Sequence, residues 1–481
     1  MLNHFPYDPP RPIQVEVLDE LMGEFINNND KKLAILELPT GIGKSAIGYT
    51  IARYYETGEK FTRFLTKTKH LQDQYVSDFP KISSIKGKGN YTEEEFMLAK
   101  MRFDQNFIGL TNYANMPNVY TGEVLIIDEG HEFINYLTEL MHFNLSKTKF
   151  VKSKYLTNII ELLSKYSKVK VSSIFNNLTY FILSQVRLIK RAQKLKLPIP
   201  KIDDTVMELY KLVKLLVALN PDIQIRTINH AKSVEFYIDG VSEYFNHIVK
   251  THKKVIIMSA NFGNIEFYLE VLGYNKDLAF IKSVQESPFL PENRPIIFVK
   301  SHSMGSSNKV KRLKSLVEEV VDNILDIEYR DDNNGIIHTV SYENAELIKK
   351  YSRYADKMEI VKHHSQLKNV KEVKGRILLS PSIEEGVGFK GDDAVYQLLL
   401  KAPIEPVTGV NKFLVWKYGR SYMNRKAALR VTQIYGRIIR SETCSGNTYI
   451  VDKNFGRISG SKSKKFYPKY FWDNFKSIKS I

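Results

Sequence analysis

The sequence predicts an α/β fold: two lobes, each built on a parallel sheet, with an all-helical insertion in the first. Three observations lead there. Short apolar runs at 33–38, 124–127, 255–258, 335–340 and 377–379 are each followed by glycine-rich or acidic turns, as buried parallel strands are at their carboxyl ends. Helical stretches such as 45–55 and 345–354 alternate with them, the rhythm of strand-helix-strand units. The segment from about 145 to 219 breaks that rhythm: Leu156, Ile159, Ile160, Leu163 and Tyr166, then Val206, Leu209, Leu212, Val213 and Leu216, recur at helical spacing, with Pro198 and Pro200 between.

Length agrees with several packed units, since 481 residues exceed one ordinary core. The expected boundaries are 1–140 for the first part of lobe one, 141–222 for the insertion, 223–290 for the return to lobe one and 291–481 for lobe two. Three prolines at 288–295 mark the candidate hinge. Seventy Lys and Arg against 53 Asp and Glu leave a formal +17, suited to a polyanionic partner or to solubility alone. Between Asn144 and Lys201 there are thirteen Lys or Arg and one acid, Glu161; that face either follows a phosphate backbone or is simply solvated. No apolar run approaches membrane-spanning length, and the start has no basic-then-apolar leader, so a cytoplasmic protein without membrane contact is expected. The single cysteine, Cys444, excludes an internal disulfide and any cluster held by several thiolates of this chain.

In the loop after the first strand, Pro39-Thr40-Gly41-Ile42-Gly43-Lys44-Ser45 carries the chemistry of a phosphate cradle. Gly41 and Gly43 let the backbone curl so that its N–H groups face phosphate oxygens. Lys44 supplies positive charge to the β and γ phosphates, and Ser45 opens a helix with a hydroxyl for Mg2+. Leu38 stands where a full Gly-x-x-x-x-Gly-Lys-Ser loop has its first glycine. Asp128-Glu129-Gly130-His131 follows a four-residue apolar strand. A carboxylate at that strand end can hold Mg2+ through water, and Glu129 can orient or deprotonate the attacking water. Near the end stands Gln433-Ile434-Tyr435-Gly436-Arg437-Ile438-Ile439-Arg440, with Arg437 and Arg440 three apart on one face if helical. Guanidinium groups stay charged and fork onto phosphate oxygens, so a second lobe that closes over ATP is expected. Ion bridging at the surface is the plain alternative for that arginine pair.

Together these residues resemble superfamily 2 helicases, and more narrowly the branch that includes DinG, XPD and Rad3. The similarity runs nearly end to end. Arg11-Pro12-Ile13-Gln14 is similar to that branch's first motif, and the resemblance implies that Gln14 reads adenine. Ser259-Ala260-Asn261 stands where the branch has Ser-Ala-Thr, and 383–389 with Gly391 is similar to its fifth motif. Coupling of hydrolysis to movement is thereby implied for His131, Ser259, Ala260, Asn261, Glu385 and Gly386. Nucleic-acid contact is implied for Thr66, Lys67, Thr68, Asn112, Ser341 and Tyr342, and Gln433 joins the ATP-binding set. In the same terms the lobes are RecA-like and the insertion is the arch beside a single strand.

Departures from the branch are few. Thr92 stands where many relatives begin their four cluster-ligating cysteines, so no iron-sulfur cluster is expected. Gly388 replaces the usual Asp, and Gly130 for alanine is a milder change. The resemblance implies an ATP- and Mg2+-dependent DNA helicase that moves 5′ to 3′ on single-stranded DNA, acts as a monomer and opens forked or branched duplexes in replication, recombination or repair. An ATP-gated binding or remodelling protein, or an RNA or R-loop helicase, would share every one of these motifs. His363-His364 reads as a surface or satisfied pair. The tail at 462–476, basic with six large rings, reads as a helix docked on its own domain ahead of a base-stacking platform.

Overall fold

The computed structural model describes residues 1–118, 122–147, 154–194, 204–217, 219–302, 309–362, 373–381, 393–439 and 444–479. In chain order its strands are β1 (Leu33–Glu37), β2 (Thr62–Thr66), β3 (Ser83–Ser84), β4 (Ile108–Asn112) and β5 (Val124–Ile127). An inserted group follows: β6 (His142–Ser146), β7 (Lys168–Lys170), β8 (Gln224–Asn229) and β9 (Ser233–Ile238). Next come β10 (Lys254–Ser259) and β11 (Ala279–Ser283), then β12 (Ile296–His302), β13 (Gly335–His338), β14 (Met358–Ile360), β15 (Ile377–Ser380), β16 (Tyr396–Leu399), β17 (Asn447–Asp452) and β18 (Phe475–Ile478).

Two of the three sheets are parallel throughout. The first has the order β11-β1-β10-β5-β2-β4-β3 and the second β14-β15-β13-β16-β17-β12-β18. Every residue of β1, β2, β5, β10, β13 and β15 is buried. That is why β1, β5, β10, β13 and β15 read as apolar runs with polar residues only at their ends, since helices cover both faces, whereas β2 buries Thr62, Arg63 and Thr66 and gives no such run. Helices Pro12–Leu21 and Lys44–Thr57 close one face of the first sheet, where Leu18, Leu21, Ile47 and Ile51 share a core with Leu36, Phe64 and Ile126.

The insertion is not all-helical. Its helices Lys154–Lys165, Val171–Lys194 and Asp204–Val217 are accompanied by a four-stranded sheet, β6-β9-β8-β7, whose pairings are all antiparallel. β7 escapes detection because Lys168-Val169-Lys170 offers one inward residue and no period. β6 and β8 are longer, at five and six residues, but half-polar. The helical spacing itself holds: Leu156, Ile159, Ile160, Leu163, Leu209, Leu212 and Leu216 are buried, whereas Tyr166 is exposed.

The tail docks onto its own lobe through two short 3-10 turns and the edge strand β18 beside β12, not through a helix. Phe466, Tyr467, Tyr470 and Phe471 are buried, with the Tyr467 and Phe471 rings 4.7 Å apart. Thr92 caps the helix Glu93–Gln105: its hydroxyl accepts from the Glu95 N–H at 3.3 Å, and the Glu95 carboxylate accepts from the Thr92 N–H at 2.7 Å. No described helix is long and apolar enough to cross a membrane.

Candidate functional site

Sheet order brings the first-lobe motifs together. β1 and β10 pair so that Glu37 lies beside Ser259, and β10 and β5 pair so that Ile257 lies beside Ile127. The loops leaving β1, β5 and β10 therefore start from three adjacent strand ends, the crevice where parallel α/β sheets bind ligands.

The β1 loop owes its shape to glycine. Gly41 and Gly43 sit at φ 91° and 90°, in the left-handed region, and Gly43 caps the helix that Lys44 and Ser45 open. Gln14, buried, donates to the Ile42 carbonyl at 2.6 Å and accepts from the Arg11 N–H at 2.8 Å. Its amide thus ties the N-terminal helix to the loop.

After β5, the Asp128 carboxylate is buried and accepts from the Tyr75 hydroxyl at 2.9 Å and from the Glu129 N–H at 2.9 Å. Burial foremost, then the charge of Glu129, raises the Asp128 carboxyl to about 6 against the opposing pull of Lys44. Glu129 itself adopts φ 53°, a left-handed backbone that costs a non-glycine residue roughly 1–2 kcal/mol. The Tyr113 hydroxyl holds that turn by donating to the carbonyls of Asp128 and, at 3.0 Å, of Glu129. A Cβ at Gly130 would fall 2.1 Å from Ile257 Cγ2, so the alanine of relatives does not fit unless Ile257 shifts.

A hydrogen-bond chain joins the lobes. The Gln433 amide donates to His131 Nε2; His131 Nδ1 donates to Ser259 Oγ at 2.8 Å, which donates to the Asn261 carbonyl at 3.0 Å. Burial pushes the His131 imidazole below its ordinary value, although Glu129 and Glu132 oppose this, and a neutral ring is what one accepting and one donating nitrogen require. The Asn261 side chain accepts from the Gly263 N–H at 2.7 Å and reaches the Phe466 carbonyl at 3.4 Å in the second lobe.

Thr40, Lys44, Glu129, His131, Ala260 and Asn261 of the first lobe face Gln433 and Arg437 of the second across a cavity of about 80 Å³. Ligand pockets typically hold roughly 300–1,000 Å³, so the lobes must part further to admit a nucleoside triphosphate. Asp128 and Ser45 lie just behind, linked through the Tyr75 hydroxyl, which reaches both. One carboxylate and one hydroxyl are few ligands, yet they fit Mg2+, which keeps waters and takes most remaining oxygens from substrate phosphates.

Other expected positions lie elsewhere. Thr66 is fully buried, Thr68 caps the helix Lys69–Asp78, and Lys67 pairs with Glu132 at 3.4 Å. Asn112 accepts from the Asn115 N–H at 3.2 Å. In the second lobe Ser341 caps the helix Tyr342–Tyr351, and the Tyr342 hydroxyl donates to the Lys362 carbonyl at 3.2 Å. Glu385, Gly386, Arg440, His363 and His364 lie outside the described residues.

Two family models match the chain, one on each side of the cleft: type III restriction enzyme, res subunit, over residues 8–176, and helicase C-terminal domain over residues 296–471. Among solved structures it is similar to XPD in its apo form, with a TM-score of 0.60 and 16% identity over 97% of this chain and 100% of that one. It is also similar to Xpd4 of S. tokodaii, with a TM-score of 0.59 and 12% identity over 97% and 100%. The chain thus carries helicase-type domains in both lobes, on a fold similar to that of XPD. ATP-dependent action on nucleic acid goes with those domains.

Several residues of this helicase cleft carry no sequence signature. Tyr75 and Tyr113 are single aromatics, and only the fold aims their hydroxyls at the acidic turn. Arg425 is wholly buried on the second-lobe helix Arg420–Tyr435. Its Nε donates to the Phe262 carbonyl at 2.9 Å, its guanidinium lies 5.4 Å from the Tyr268 ring, and Nη1 and Nη2 have no hydrogen-bond partner among the described residues. A buried, incompletely paired charge is costly, and apolar isosteres of such groups are often stabilising by about 1–4 kcal/mol. Arg425→Met is therefore expected to raise the thermal midpoint; a fall of several degrees would show that the guanidinium has better partners than these.

Beside Arg437, burial first and the Arg437 charge in addition push the His338 imidazole down to about 4, against the hydrogen bond that its Nε2 donates to Gln397 Oε1 at 3.3 Å. The unfolded chain would take up that proton near pH 6.5. Stability is thus complete above pH 6.5 and lost as pH falls toward 4, by up to about 3 kcal/mol from this group. Thermal midpoints should fall between pH 7 and 5, and His338→Gln should flatten part of the slope. An unchanged slope in that variant would remove His338 from the account.

Proposed function

We propose that the chain is an ATP-driven DNA helicase that moves 5′ to 3′ on single-stranded DNA as a monomer and opens forked or branched duplexes in replication, recombination or repair. The observation that carries this reading is the cleft itself: Lys44 and Glu129 on one wall, Gln433 and Arg437 on the other, with a hydrogen-bond chain running between the lobes. Thr40, Gly41 and Gly43 cradle the phosphates, Lys44 neutralises the β and γ oxygens, and Glu129 orients the attacking water. Ser45 and Asp128 would hold Mg2+, which supplies Lewis-acid stabilisation of the phosphoryl oxygens when bound. Arg437 and Arg440 meet the charge that develops on the transferred group. Gln14 serves the adenine side.

Loss of the γ-phosphate removes the anion that draws the second lobe inward. Gln433, His131, Ser259 and Asn261 then pass the change to neighbouring strand ends, with Ala260, Glu385 and Gly386 in the same coupling set. Lys67, Thr68, Asn112, Ser341 and Tyr342 contact the strand, with Thr66 buried behind them, and the net charge of +17 favours its phosphates.

The test is strand displacement on forked DNA and RNA-DNA hybrids carrying a 5′ or a 3′ tail, with ATPase stimulation measured for single-stranded DNA, single-stranded RNA and duplex. Displacement from 5′-tailed DNA is expected. Stimulated hydrolysis without displacement would make the protein a remodeller, stimulation by RNA alone would make it an RNA helicase, and displacement only from 3′ tails would reverse the direction.

A further inference from the structure

A second crevice, of about 400 Å³, opens between the lobes where Lys67 and Glu132 face Glu405, Lys426 and Arg430. Lys426 and Arg430 stand one turn apart on the helix Arg420–Tyr435, two like charges on one face. Glu405 answers both. Its Oε2 accepts from Lys426 Nζ at 2.7 Å and from Asn411 Nδ2 at 3.1 Å, and its Oε1 lies 3.3 Å from Arg430 Nη1. The three charged side chains are only 16%, 24% and 35% exposed for Lys426, Glu405 and Arg430, so this is not an ordinary surface bridge. Burial alone would raise the Glu405 carboxyl; the Lys426 bond and charge, the Asn411 bond and the Arg430 charge outweigh it and hold the group below the usual carboxylate range.

An ammonium, a guanidinium and an amide N–H converging on two oxygens of one anion also fit a phosphodiester. Glu405 sits in the irregular segment between β16 and the helix Val410–Tyr418, with prolines at 403 and 406 and Gly409 at φ 51°. It is therefore not locked into a helix or strand. Across the crevice Lys67 is matched in the same way by Glu132 at 3.4 Å. In this crevice, which Glu139 also lines, the cations point inward and are already neutralised.

From this arrangement we infer that Asn411, Lys426 and Arg430 form a contact site for a backbone phosphate of the bound strand, and that Glu405 occupies it as an internal stand-in which the phosphate displaces. The inference rests on the nucleic-acid reading above. Nucleic acid binding at this point exchanges one anion for another, so Glu405 weakens the grip and discourages retention of loosely held strands.

The experiment is fluorescence anisotropy of the full chain with a labelled oligothymidylate of about 20 nucleotides, from about 50 to 200 mM salt. Glu405→Gln is expected to tighten binding about two- to tenfold at every salt concentration. Lys426→Gln with Arg430→Gln is expected to weaken it and to shallow the salt slope by about 0.7 for each phosphate that the variant no longer neutralises. Glu24→Gln, an exposed and remote charge control, should leave both quantities unchanged. Unchanged or weaker binding by Glu405→Gln, or equal tightening by Glu24→Gln, overturns the inference. So does unchanged binding by the double variant, which decides the matter alone if Glu405→Gln fails to fold. A wild-type chain that binds no oligonucleotide even at low salt would instead sink the helicase reading.

Discussion

Lys44→Ala is expected to lower ATP turnover by at least about 10²- to 10³-fold, the scale seen when one preorganised charge partner of a developing anion is removed. Lys44 is the first residue of its helix and shares the cleft with Glu129, Gln433 and Arg437. Its charge also bears on the Asp128 carboxyl, so the variant loses a phosphate partner and unbalances the acidic turn together. Binding of single-stranded DNA should survive, because Lys44 lies in the cleft and away from Lys67 and Lys426. Steady-state hydrolysis and anisotropy on the same preparation check both halves. Full turnover in this variant would discredit the phosphate-loop assignment.

Arg437→Ala is expected to keep ATP binding within a few-fold while turnover falls by about 10³-fold or more, as for arginine fingers generally. Arg437 reaches the cleft from the second lobe, one turn beyond Gln433, so its guanidinium meets the γ-phosphate only once the lobes close. An interaction made in the closed state lowers kcat more than it raises KM. Lysine should rescue poorly at this position, since a point charge does not fork onto two oxygens. Single-turnover hydrolysis beside nucleotide titration separates the two effects. Normal turnover in Arg437→Ala would pass the role to Arg440, and normal turnover in both single variants would leave the two-walled site without its second wall.

Much of both lobes was legible in the chain because the signals are local. A parallel strand covered on both faces is mostly apolar, so β1, β5, β10, β13 and β15 announce themselves, while β2, with buried Thr62, Arg63 and Thr66, does not. The Thr40-to-Ser45 loop is equally local: two glycines in left-handed backbone and a helix start are encoded within six residues. The insertion was legible only in its helices. Three-residue β7 buries one valine, and its sheet exists because distant β8 and β9 pair with it and with β6.

The cleft was legible in its parts and not in its assembly. Tyr75 and Arg425 belong to helices whose composition says nothing of their targets, Asp128 and Phe262. The docked tail was foreseen from its aromatic load, while Pro468 and the edge of the second sheet turned it into 3-10 turns and a strand.

By itself the sequence determined the fold class, the glycine loop after β1, the acidic strand end and the order of the motifs, because each follows from backbone preferences and burial over a few neighbouring residues. Only the tertiary structure decided which ends meet. The order β1-β10-β5 puts Ser259 beside Glu37, and the helix Arg420–Tyr435 carries Gln433 to His131 across 302 positions of chain. Such pairings depend on long-range packing and on how two lobes face each other, which no local propensity encodes.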